Sequence, residues 1–122
     1  MPVSYEFDGS MLALRMVGSY EPADVRKAIA DALREAGGRE LTGLLFDVTA
    51  SDALARRSAN EVRAMAAFLA HVAPSFGNRI ALVATNDVGY GLMRLGAVDL
   101  ESAGVAPYVF RDVAAALAWL GR

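Results

Sequence analysis

Two short apolar runs, Leu44-Leu45-Phe46-Asp47-Val48 and Ile80-Ala81-Leu82-Val83-Ala84, constrain this chain more than any other feature. Each is too short for a helix, barely alternates with polar residues, and is followed by a polar helix-opening signal and an apolar stripe at helical spacing. Runs of this type are strands buried on both faces, as in the middle of a parallel sheet. Parallel neighbours need a crossover, usually a helix, so strand and helix must alternate along the chain.

The helix signals are local and specific. Ser58-Ala59-Asn60-Glu61 has the form of a capping box, in which the serine hydroxyl accepts from an early helix N–H and the glutamate reaches back to the serine amide. Behind it, Val62, Met65, Ala66 and Leu69 form a core-facing stripe, and Pro74 lies beyond the helix end. Thr85-Asn86-Asp87 offers caps for the next helix, expected to end near Gly104, and Asp112 caps a final one with Val113, Ala116, Leu117 and Leu120 inward. Upstream, Val3 to Phe7 and Met11 to Val17 read as a hairpin around Asp8-Gly9-Ser10. Ser19 to Pro22 opens a helix with the stripe Val25, Ala28, Ile29, Ala32, Leu33 and Ala36, which Gly37-Gly38 stops.

With a last strand at Tyr108-Val109-Phe110, the order is ββαβαβαβα. The expectation is one α/β domain over residues 1–122, with a mixed five-stranded sheet, an antiparallel edge from the hairpin, right-handed crossovers and four helices. The stretch from Thr49 to Arg57 is expected to be the longest irregular loop, the kind that is more often functional than idle.

Composition narrows the function classes. At 122 residues with 55% hydrophobic and 21% charged residues, the chain can bury a core, and disorder is excluded. A net charge of −2, with Lys27 the sole lysine, lacks the basic footprint of a nucleic-acid binder. The absence of cysteine removes disulfides, thiolate catalysis and cysteine-ligated zinc. One histidine leaves no histidine-rich metal site, and no loop has calcium-binding spacing. No secretory leader and no apolar run long enough to span a membrane is visible, so a cytoplasmic location is expected.

The arrangement also resembles a known family. The N-terminal hairpin, Phe46-Asp47-Val48, the helix opened by Ser58, and Val109-Phe110-Arg111-Asp112 followed by Ala116-Leu117-Ala118-Trp119-Leu120 resemble the SpoIIAA-like or STAS-like domains of anti-sigma factor antagonists and sulphate transporters. The resemblance implies a regulatory module working through protein–protein contacts, with a homodimer among its assemblies. It also implies a phosphoacceptor serine at Ser58, although Arg57 stands where that family carries aspartate and Asn60 where it carries glycine. The chain is closer to the divergent SpoIIAA-like branch, similar in fold to CRAL-TRIO lipid-binding domains, which implies an apolar ligand as the alternative.

The candidate site follows. Ser58 is an N-cap or a phosphoacceptor whose phosphate would meet a helix N-terminus and pair with Arg56 or Arg57. Asp47, at the carboxyl end of a central strand, either stabilises the following turn or touches a ligand. With Thr49, Arg56, Arg57, Asn60 and Asp87 it is expected to form one rim around Ser58. Tyr90, Leu92 and Met93 are the residues expected to meet an apolar ligand between sheet and third helix. Gly89-Tyr90-Gly91 is no dinucleotide fingerprint, because its third glycine would fall at Arg94. His71 sits off the stripe at the far helix end from Ser58, so no serine–base pair is expected, and a binding module with no cofactor is favoured over an enzyme.

Overall fold

The computed structural model describes residues 2–121 and has the expected element order. Strands β1 (Val3–Asp8) and β2 (Met11–Val17) form the hairpin, followed by α1 (Pro22–Ala36), β3 (Gly43–Ala50), α2 (Ala59–Val72), β4 (Arg79–Val83), α3 (Asp87–Ser102), β5 (Ala106–Phe110) and α4 (Val113–Leu120). The sheet runs β1-β2-β3-β4-β5, antiparallel between β1 and β2 and parallel throughout the rest. Its central strand β3 is buried from Gly43 to Val48, as its apolar sequence demands.

Spatial order equal to chain order decides where the helices go. Right-handed crossovers that always step in one direction place their helices on one face. Accordingly α1, α2 and α3 share a face and enclose the larger core, in which Leu12, Leu14, Phe46, Ile80 and Leu82 point up from the sheet to meet Val25, Ile29, Val62, Leu69 and Leu100. Only α4 returns to the other face, where Leu45, Ala81 and Val83 pack on Ala116 and Leu120. One eight-residue helix cannot cover five strands, so the β1–β2 part of that face is polar: Ser4, Glu6, Asp8 and Arg15 are exposed there.

The caps explain the boundaries. Ser58, Asn86 and Asp112 cap their helices by accepting from Glu61 N, Gly89 N and Ala115 N. Helix α1 is opened by Glu21, with Asp24 completing a capping box and Pro22 in the first turn. The stretch Thr49 to Arg57 is not an irregular loop. Strand β3 continues through Ala50, and Ala53–Arg56 forms a 3-10 turn that buries Ala53 and Leu54 in the larger core. Apolar residues at two successive positions of a polar stretch supply the anchoring that an open loop lacks. A second 3-10 turn, Ala73–Phe76, contains Pro74 and buries Phe76. Among the described residues, no helix is long and apolar enough to cross a membrane.

Candidate functional site

Parallel strands β3 and β4 bring the starts of α2 and α3 to one edge of the sheet, so Ser58 and Asp87 stand on the same side of the molecule. Ser58 is exposed, and its hydroxyl accepts from Glu61 N at 3.1 Å while the Glu61 carboxylate accepts from Ser58 N at 3.1 Å. The Ser58 backbone N–H first, then the Ser58 side chain and the nearby Arg57 guanidinium, hold the Glu61 carboxyl below its ordinary range.

Arg57 is the centre of this edge. Its guanidinium donates to the carbonyl oxygen of Tyr20, lies 5.4 Å from the centroid of the Tyr20 ring, and approaches Glu21 at 3.5 Å and Glu61 at 3.4 Å. Only 17% of its side chain is exposed. The start of α1 is thereby fastened to the start of α2. Burial raises the Tyr20 hydroxyl above its ordinary pKa, an effect the Arg57 charge partly offsets. Arg56 is exposed and engaged elsewhere, 3.0 Å from Asp52 and 3.5 Å from the Ser19 hydroxyl. Both arginines expected to pair with a Ser58 phosphate thus already have partners of their own. Asn60 is exposed on the first turn of α2.

The remaining rim residues are dispersed. Asp47 belongs to the face opposite Ser58: with Thr49 it borders a basin walled by Val113 and Leu117 of α4. One carboxylate oxygen of Asp47 accepts from Thr49 N at 2.8 Å, the turn-stabilising role considered for it. Asp87 pairs with Arg111 at 2.9 Å, and Arg111 lies over the Tyr90 ring at 4.2 Å. Asp87 therefore ties the start of α3 to the segment after β5. The expected single rim is two separate surfaces, because alternate residues of β3 point to opposite faces. Leu44, Phe46 and Val48 pack beneath the three helices, whereas Leu45 and Asp47 turn toward α4.

The apolar cleft between α2, α3 and the sheet is present but narrow. Leu92 and Met93 border it together with Leu54, Val62, Met65 and Phe46, and the void measures about 50 Å³. Tyr90 does not line it and stacks with Arg111 instead. The void is well below the roughly 150 Å³ cavity that accommodates benzene, so a lipid chain needs α2 and α3 to part. Gly96 brings α3 close to Val62, where an added Cβ would lie 3.5 Å from a Val62 methyl. His71 is exposed in the last turn of α2, away from Ser58.

The five-stranded mixed sheet with its N-terminal hairpin, three helices on one face and one on the other has the SpoIIAA-like architecture. The solved structure of an uncharacterized DUF3478-family protein with a SpoIIAA-like fold, from Shewanella loihica PV-4, matches 97% of this chain and 91% of its own with a TM-score of 0.63. The two are 20% identical, a likeness of fold. No protein-family model and no curated protein matches the sequence.

Proposed function

We propose that this protein is a non-enzymatic binding module that acts through protein–protein contacts at the edge where α2 begins, with phosphorylation of Ser58 as its control. The observation that carries the reading is the sharing of Arg57 among the Tyr20 carbonyl, Glu21 and Glu61, one residue from an exposed serine. A phosphate on Ser58 adds about −1.5 to −2 charges beside the Glu61 carboxylate and removes the hydroxyl from its cap. Glu61 and the phosphate then compete for Arg57. Because the same guanidinium holds the Tyr20–Glu21 segment, the modification reshapes the surface of both helix starts.

The test is capture from a lysate of the native host with wild type, Ser58→Ala and Ser58→Asp, together with peptide mass spectrometry of the native protein. A partner held by wild type and Ser58→Ala but released by Ser58→Asp, with phosphate found on Ser58, supports the reading. Identical partners for all three, with Ser58 unmodified, would overturn it.

A second reading, a carrier or sensor of an apolar small molecule, is favoured by the greasy lining of the α2–α3 cleft. Native mass spectrometry of protein purified from cells would show such a molecule as added mass.

A further inference from the structure

The half-covered face of the sheet holds a feature independent of the Ser58 edge. Between α4 and β1 lies an open basin of about 460 Å³, within the usual size range of small-molecule sites. Its floor is Ala13 and Leu45, and Val113 and Leu117 of α4 form one wall. At its upper end the neighbouring positions Arg15 and Asp47, opposite one another in the β2–β3 pairing, both border the space.

These two groups are unusual for opposite charges side by side. Asp47 is only 5% exposed, the single charged residue in the buried set of described residues. Thr49 N satisfies one of its oxygens. The other has no partner among the described residues and is not sealed off, so it opens on the basin. Arg15 makes no ion pair with any described residue. A carboxylate oxygen that opens on the basin in this way is available to a second partner, water or a guest. The rim carries Glu6 and Asp8 as well, so a purely anionic guest is repelled while one bearing a cation is drawn in.

We propose that this basin binds a small zwitterion with an apolar side chain, of the α-amino acid class. Its ammonium meets the open oxygen of Asp47, its carboxylate meets Arg15, and its side chain lies over Ala13 and Leu45 against α4. The carboxylate and ammonium of one α-carbon are held close together, as are two side chains on paired residues of adjacent strands. Arg15 supplies the donor fork suited to a carboxylate.

The experiment is an amide NMR titration of the full chain with L-leucine, 3-methylbutylamine and 4-methylpentanoate, which separate zwitterion, cation and anion with the same isobutyl side chain. Leucine should give saturable shifts at Arg15, Leu45, Asp47 and Thr49, with the amine about tenfold weaker and the acid weaker still. Asp47→Asn keeps an oxygen for Thr49 N, and Arg15→Gln alters an exposed side chain. Each should weaken leucine about tenfold while leaving the rest of the spectrum in place. Absence of saturable leucine shifts, shifts unaffected by Asp47→Asn, or shifts that follow protein concentration because a second copy covers the face would each overturn the proposal.

Discussion

Arg57 donates to the carbonyl oxygen of Tyr20 and lies over the ring of the same residue, so one side chain at the start of α2 fixes the chain entering α1. The two residues are thirty-seven apart in sequence, and neither belongs to a regular strand or helix. Charge-assisted bonds to a largely buried guanidinium exceed neutral ones in strength.

Arg57→Ala should therefore destabilise the fold by about 2 kcal/mol, through the Tyr20 carbonyl left without its donor and the lost ring contact. Arg57→Lys should recover only part of this, since an ammonium cannot reproduce the fork. Urea unfolding followed by circular dichroism measures both.

Replacing the serine separates its cap from its charge chemistry. Ser58→Ala removes the acceptor for Glu61 N and should cost about 1 kcal/mol. Ser58→Asp retains a capping oxygen at a helix N-terminus and should fold with nearly wild-type stability. Thermal melts at neutral pH distinguish the two.

Stability should fall with acid partly through Glu61. Its folded pKa lies below the ordinary 4.5, so the unfolded chain takes up the proton more readily. The contribution is complete above about pH 4.5 and is lost as the pH drops through the lower folded value. Glu61→Gln keeps an acceptor for Ser58 N but cannot titrate. A urea series from neutral pH to acid should show a shallower decline for the variant.

The packing of α4 gives a coupled pair. An added Cβ on Gly43 would lie 2.7 Å from Cδ2 of Leu120, so Gly43→Ala should cost about 1–3 kcal/mol by overpacking. Leu120→Ala removes the clashing atoms. A double-mutant cycle should show the pair costing less than the sum of the singles.

The architecture was legible because its determinants are local. The apolar runs at Leu44–Val48 and Ile80–Ala84, and the caps Ser58, Asn86 and Asp112, each act within a few residues. The opening of α1 was harder to assign, since Glu21 is an unusual cap and works through Asp24 three residues on. The turn Ala53–Arg56 was hidden because only the completed core rewards burying Ala53 and Leu54.

The site was less legible, for a reason visible in β3. Asp47 and the segment leading to Ser58 are close in sequence, yet strand alternation sends the carboxylate to the face away from α2. The signal was available: a charged residue inside an otherwise apolar strand points to a sheet face that is incompletely covered. The engagement of Arg57 with Tyr20 and of Asp87 with Arg111 needed the tertiary fold, because each pair spans more than twenty residues.

Because α4 alone roofs Leu45, Ala81 and Val83, that part of the interior has no cover while a nascent chain has exposed only the five strands and first three helices. During synthesis those side chains form a wet, adhesive surface until the helix carrying Ala116 and Leu120 clears the ribosomal tunnel. Chaperone engagement and premature-stop aggregation should concentrate in that interval.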